Sequence, residues 1–470
     1  MKKHINYFIL ISRDIINSIK SIKNKYFLAL ILIFLANAPF WIVSASHYIN
    51  RPIFSFDSIL SILVMTLNLE LGVVSLIISW FCDLLINFFH TFRFLSFYDY
   101  LLSIKFASNI NFINFLTIEM LFLFSIFLIA IVFIIRLSNK KNKTTVPLLL
   151  FLFIIAITDS LNGSFLITKA QTKKTQINFI GSSAYTVFSS VKDEFFTPIS
   201  EIKKINDGGL EELKKIQGNP FASKKSFIYI IVESFGYPTN KDLNDWLINK
   251  FSKSILIDRY KIRDLKLYSN GATTNGEMRR LCSLEGSYRK INSTNSTECL
   301  PQLFKKNGMS TNGFHGFYKS MFDRDKWWTT IGIENQYFLD SENISEKKLC
   351  GSAFRGLCDD YLLDKAFFVA EKPNQFVYVL TLNSHLPLVK VDVPDDLAKI
   401  CADNKIDQDT CVFSAHLGGT LDSIVNHLIK SKSTFEIFIS GDHSPPFSSV
   451  ISRNNFQSHH VMGFSLIPKQ

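Results

Sequence analysis

At 470 residues the chain is long enough for about three soluble domains, yet 47% of its residues are hydrophobic, 45 are phenylalanine and only 19% are charged, against roughly 25% in an average soluble protein. That composition excludes a disordered or collagen-like chain. The net charge of +11 divides into +6 over the first 160 residues and +5 over the rest, so neither part carries the concentrated basic face that nucleic acid requires, and no nucleic-acid partner is expected.

The first 163 residues read as a membrane domain. Apolar runs cover Tyr26 to Ser46, Ser58 to His90, Leu116 to Arg136 and Val146 to Thr158, and a bilayer core needs about 20 apolar residues per helix. The second run is too long for one helix and carries Asn68 and Glu70 near its middle. Polar groups at mid-bilayer are costly, so the run is expected to be two helices meeting in a tight turn. Lys2, Lys3, Arg13, Lys20, Lys23 and Lys25 precede the first run, and Arg136, Lys140, Lys141 and Lys143 follow the third. Cations collect on the cytoplasmic side, which puts both flanks inside, gives four spans between them, and makes the last run a fifth crossing that delivers everything after Asp159 outside. Glu70, Asp83 and Asp159 are expected at interfaces by helix ends rather than in a proton relay.

Residues 164–223 turn polar, with helical stretches expected at Val191–Phe195 and Ser200–Ile216 and a Gly208-Gly209 pair, and read as a linker. From residue 224 the pattern is α/β. Phe227–Val232 is a continuous apolar, β-branched run suited to a strand buried on both faces. Phe376–Leu382 and Thr434–Ser440 repeat it, alternating with helical segments at Asp360–Ala370 and Leu417–Ser431, as in a largely parallel sheet. Six of the seven cysteines lie here. In an oxidising compartment six cysteines allow 15 pairings, and sequence neighbours are the expected partners: Cys282 with Cys299, Cys350 with Cys358, Cys401 with Cys411. Cys82 sits in a span and is assigned to packing.

Sheets of this kind place chemistry at strand C-termini. Glu233 and Ser234 follow the first strand, His385 follows another in Asn-Ser-His-Leu-Pro, and Asp442 and His443 follow a third in Gly-Asp-His-Ser. Carboxylates and an imidazole converging on one rim form a mixed oxygen and nitrogen set suited to zinc or manganese. The set also includes Gly271-Ala-Thr-Thr-Asn-Gly-Glu277, a Phe-His-Gly segment at His315 and Asp-Arg-Asp around Arg324.

In the order and spacing of these motifs the chain resembles the alkaline phosphatase and sulfatase superfamily, specifically its membrane-anchored lipoteichoic acid synthases (phosphoglycerol transferases) and phosphoethanolamine transferases. The resemblance implies a multi-span N-terminal membrane domain and a sulfatase-like catalytic domain outside the bacterial inner membrane. It further implies a divalent metal, a membrane phospholipid donor and an envelope glycan or lipid-linked acceptor. Carried over by position, Glu233, Thr273, Asp442 and His443 look like the metal ligands, with Thr273 rather than Thr274 as the nucleophile. His385, and His460 in preference to its neighbour His459, resemble histidines that touch substrate or hold a second metal. Arg324 looks like the arginine that binds substrate phosphate, for which a forked guanidinium is suited. His315 is weighed equally as a substrate contact and a structural loop residue, and Trp327-Trp328 as packing. The segment after Thr273 lacks the Ser-x-Pro-Cys of the phosphoethanolamine transferases and is closer to the synthases, whereas six outer cysteines look unlike a Gram-positive synthase. The alternative carried beside transfer is a membrane-tethered phosphodiesterase or phosphatase, or a sulfatase-like hydrolase.

Overall fold

The protein is described by a computed structural model over residues 25–46, 52–91, 118–137, 146–151, 180–188, 201–221, 225–341 and 348–469, apart from a few positions inside these ranges. Two compact units emerge, one within Met1–Arg93 and Leu116–Phe196 and one built on Thr197–Gln470.

The first unit is helical: α1 Lys25–Ser46, α2 Phe56–Leu67, α3 Leu69–Thr91 and α4 Ile118–Leu137. The second apolar run divides at Asn68, whose backbone is extended (φ −139°, ψ 114°). The Asn68 side-chain oxygen accepts from the Leu71 amide at 3.1 Å, capping α3. α2 and α3 then meet through hydroxyl pairs, Ser58 with Ser79 at 3.0 Å and Ser61 with Ser75 at 2.8 Å, small residues that let helices approach closely. Asp83 is buried within α3 and accepts from the Ser183 hydroxyl at 2.6 Å. Glu70 is exposed in the first turn of α3. Among the described residues no helix is long and apolar enough to cross a membrane. Of the fifth apolar run, 146–151 is helical, and most of the remainder lies outside the described residues. So do Asp159, the cations at 2–23 and 140–143, and the expected helix at 191–195.

The expected helix at Ser200–Ile216 is shorter in the structure. Lys203–Lys204 pairs as a strand with Leu284–Glu285, and α5 runs only from Gly209 to Gln217. Gly209 takes φ +53°, a conformation glycine reaches without cost, so the Gly-Gly step starts the helix.

The second unit centres on an eight-stranded sheet. In chain order its elements are β1 Phe227–Val232, β2 Gly236–Pro238, β3 Tyr260–Tyr268, α6 Thr273–Cys282, β4 Ser310–His315, α7 Arg324–Thr330, β5 Asn335–Tyr337, α8 Asp359–Ala370, β6 Gln375–Leu380, α9 Gln408–Lys430, β7 Glu436–Gly441 and β8 Phe456–Pro468. The sheet order is β3-β8-β7-β1-β6-β4-β5, with β2 also on β8. β7, β1, β6, β4 and β5 run parallel, and β8 is antiparallel to β7 and β3. β1 shows why such a strand is apolar throughout: Ile228, Ile230 and Val232 enter a core that includes α8 and α9, while Phe227, Tyr229 and Ile231 enter another that includes α6 and α7. α9 begins nine residues before the expected start, where Asp407 caps it by accepting from the Thr410 amide at 3.1 Å. All three expected disulfides are present.

Register aligns the functional rim. Val232 stands opposite Gly441, Ile231 opposite Leu380, and Leu380 opposite His315. The residues that follow β1, β6 and β7, and the last residue of β4, therefore emerge at one edge.

Candidate metal centre

Glu233 leaves β1 through a tight turn at Ser234, which holds φ +58°, a region costly for a non-glycine residue. Two bonds compensate: the Ser234 amide donates to Asp442 Oδ1 at 2.7 Å and its hydroxyl to Glu233 Oε1 at 2.9 Å. The Glu233 backbone is pinned from β6, its amide donating to Thr381 Oγ1 at 3.0 Å and its carbonyl accepting from Ser384 Oγ at 2.5 Å. Thr273 is the first residue of α6, and two glycines set its place. Gly271 turns the chain at φ +91°, and a Cβ at Gly276 would lie 2.8 Å from Asp442 Cα, so α6 rests directly on the Asp442 backbone.

Four donor atoms converge. Thr273 Oγ1 is 3.3 Å from Glu233 Oε2 and 3.3 Å from His443 Nε2, and His443 Nε2 is 3.5 Å from Glu233 Oε1 and 3.3 Å from Asp442 Oδ2. His443 Nδ1 lies 3.0 Å from the Ser444 carbonyl, so Nδ1 carries the proton and the lone pair of Nε2 faces the carboxylates. Asp442 Oδ2 is buried and accepts no hydrogen bond among the described residues. Two buried carboxylates crowded around one imidazole call for a cation. The spacing fits one: four ligands about 2.0–2.1 Å from a tetrahedral zinc stand about 3.3–3.4 Å apart. Electrostatics agree, since burial and the Glu233 charge push Asp442 up to about 7. For His443 burial opposes protonation, but the Asp442 and Glu233 charges outweigh it and raise the pKa. Among the described residues, Glu233, Asp442 and His443 are the one group of three or more histidine, cysteine or acidic side chains whose ligand atoms all lie within 4.8 Å of one another.

The other sequence-derived residues are placed differently. Thr274 is buried beside Thr273. His385 lies at the β6 rim, its ring 4.1 Å from that of Phe354 and its Nδ1 2.6 Å from the Leu386 carbonyl; burial lowers its pKa to about 4. His315, with Nδ1 3.2 Å from the Leu380 carbonyl, is held neutral by burial and by Arg324. Arg324 is itself buried, with Nε and Nη2 at 3.2 and 3.0 Å from Glu277 Oε2. The other oxygen of Glu277 accepts from Trp328 Nε1 and the Tyr378 hydroxyl, each at 3.0 Å. Trp327 and Trp328 are core residues. His460 is outside the three-residue group; it stands opposite Tyr268 on the β3–β8 ladder, with burial, Lys266 and His459 lowering its pKa. Thr381, Ser384 and Asp359 were missed in the sequence, where the only signal was a hydroxyl or carboxyl residue beside a strand or helix end.

The sequence matches the family model described as Sulfatase over residues 225–461, and the chain belongs to that family. Among curated relatives it is similar to a lipoteichoic acid synthase of Staphylococcus aureus (strain bovine RF122 / ET3-1), 24% identical over 303 residues, covering 59% of this chain and 46% of that one. A lipoteichoic acid synthase of Staphylococcus saprophyticus gives the same identity over 305 residues and the same coverage. The chain thus spans less than half the length of the curated relatives it matches. Similar solved structures include a lipoteichoic acid synthase from Listeria monocytogenes (17% identity, 55% of this chain and 71% of that one, TM-score 0.37). A phosphoglycerol transferase from Streptococcus pyogenes, in complex with sn-glycerol-1-phosphate, gives 15%, 54%, 71% and 0.35. The zinc complex of a C-terminal periplasmic domain from Escherichia coli gives 12%, 58%, 77% and 0.35.

Proposed function

We propose that the protein is a bacterial inner-membrane transferase that moves a phosphoglycerol or phosphoethanolamine group from a membrane phospholipid, through a Thr273-bound intermediate, to an envelope glycan or lipid-linked acceptor. The observation that carries the reading is the convergence of Thr273, Glu233, Asp442 and His443 at ligand spacing, with Thr273 at the N-terminus of α6. A helix N-terminus favours the negative charge of a phosphate. These four residues would hold a divalent ion, zinc or manganese, which would supply Lewis acidity and lower the pKa of the threonine hydroxyl.

The transfer proceeds in two displacements. Thr273 Oγ1 forms a bond to phosphorus as the bond to the diacylglycerol oxygen breaks, and that oxygen leaves with the proton Thr273 gives up. The acceptor hydroxyl then attacks phosphorus, the Thr273 bond breaks, and the acceptor's proton returns to Thr273. His385, at the β6 rim with Nδ1–H directed to the Leu386 carbonyl, leaves Nε2 as the ring nitrogen that can take and return a proton. His460 is assigned to the substrate side by motif position, whereas Arg324, expected there by motif, is closed on Glu277 and supports the helix that carries Thr273.

A membrane-embedded N-terminal domain, residues 1–163, with residues 164–223 as linker and 224–470 as a periplasmic catalytic domain, suits a donor that is itself a lipid. Exposed apolar stripes support it: Leu71, Val74, Ile78 and Phe81 on α3, Ile126, Ile129 and Phe133 on α4, and Phe27, Leu30 and Phe34 on α1. Full-length protein in vesicles of phosphatidylglycerol and phosphatidylethanolamine should release diacylglycerol slowly, and faster once envelope glycan is added. Rapid headgroup release that no glycan accelerates would favour the phosphodiesterase reading.

A further inference from the structure

We infer that Asp359 is the positioning residue for His385. The two are far apart in sequence, and no motif joins them. Asp359 opens α8 and is buried. Its Oδ1 accepts from the Leu382 amide at 2.8 Å and its Oδ2 from the Asn383 amide at 3.1 Å, the two peptide groups that carry the chain from β6 toward His385. The grip is reciprocal, for the Asp359 amide donates to Asn383 Oδ1 at 2.7 Å. Thr420 Oγ1 on α9 adds a third donor to the carboxylate at 3.3 Å. The loop's other anchors lead to Glu233, through Thr381 and Ser384. Residues 381–384 are thus fixed one by one, the outer two to Glu233 of the candidate metal centre and the inner two to Asp359. His385 follows as the first residue free of such an anchor, with its amide closing a turn on the Leu382 carbonyl at 2.9 Å.

Asp359 has a rigid base. The preceding residue, Cys358, is bonded to Cys350, and the intervening hairpin pairs Leu349 with Leu357 and Cys350 with Gly356. From that hairpin Phe354 packs on the His385 ring, while the Leu357 amide donates to the Gly316 carbonyl at 2.8 Å, next to His315. The hairpin and Asp359 therefore hold the imidazole from its face and from its backbone. Small displacements of a reacting group cost rate steeply, about 100-fold for 1 Å, and a carboxylate accepting backbone amides is a stiff support.

This inference rests on the role of His385 given under Proposed function, and a double-mutant cycle separates the two. Diacylglycerol release from mixed phosphatidylglycerol and phosphatidylethanolamine vesicles is measured for the full-length protein, Asp359→Asn, His385→Ala and the double variant. Metal content and hydrogen exchange at residues 382–383 are followed in each. Asp359→Asn is expected to lower kcat about 10- to 100-fold with KM and metal content unchanged and faster exchange at Leu382 and Asn383. In the His385→Ala background the same substitution should cost nothing further. Independent, multiplying losses would overturn the role of Asp359, as would wild-type kcat in Asp359→Asn. A His385→Ala protein with wild-type turnover would overturn the role of His385 itself.

Discussion

The guanidinium of Arg324 is closed on the carboxylate of Glu277, four residues along α6 from Thr273, with Nε and Nη2 at 3.2 and 3.0 Å from a single oxygen. Both side chains are almost wholly buried. The pair ties α6, the helix that opens with Thr273, to α7, and through Tyr378 to β6. Removing one partner strands a buried charge, which costs about 3–5 kcal/mol. Arg324→Ala should therefore lower stability by that order in denaturant titrations of the full-length protein. A variant as stable as wild type would contradict the buried pairing.

Metal occupancy should depend on Asp442. Replacing a charged ligand with a neutral amide weakens a dication site, so Asp442→Asn should lose most bound zinc or manganese in elemental analysis while retaining its three disulfides. Full occupancy would remove Asp442 from the site.

The stability curve should carry the signature of Asp359, whose pKa burial raises from 3.8 to about 6 against the backbone bonds from Leu382 and Asn383. A carboxyl raised on folding binds its proton more tightly in the folded state. Its contribution is complete below pH 3.8 and is lost as pH rises through 6. Asp359→Asn removes that titration, so its stability relative to wild type should improve by about 3 kcal/mol between pH 3.8 and 7. A difference independent of pH would show that Asp359 does not titrate in this window.

Topology is checked by fusion. A reporter active only outside the cytoplasm should work after Gly163 and be silent after Lys141; the reverse would overturn the five-span arrangement.

Where one physical cause dominated, the sequence was a sufficient guide. β1 had to be apolar because both faces are covered, and Asn68 had to interrupt a run too long for one helix. The rim residues Glu233, Asp442 and His443 were legible because strand ends and ligand chemistry coincide there. β3, with its alternating charges, and β4, Ser-Thr-Asn-Gly-Phe-His, were not legible. Their sheet positions come from pairing with β8 and β6, a long-range effect that local pattern does not encode. The buried state of Arg324 was hidden for the same reason, since Glu277 meets it across 47 residues. The Ser183 donor to Asp83 was likewise hidden, 100 residues away.

The central claim is a covalent intermediate on Thr273, and intact-mass measurement with peptide mapping tests it most directly. After incubation with phosphatidylglycerol and phosphatidylethanolamine and no glycan, Thr273 should carry the mass of phosphoglycerol or phosphoethanolamine, and Thr273→Ala should carry neither. Diacylglycerol release by a protein whose Thr273 stays unmodified, or by Thr273→Ala at the wild-type rate, would contradict it.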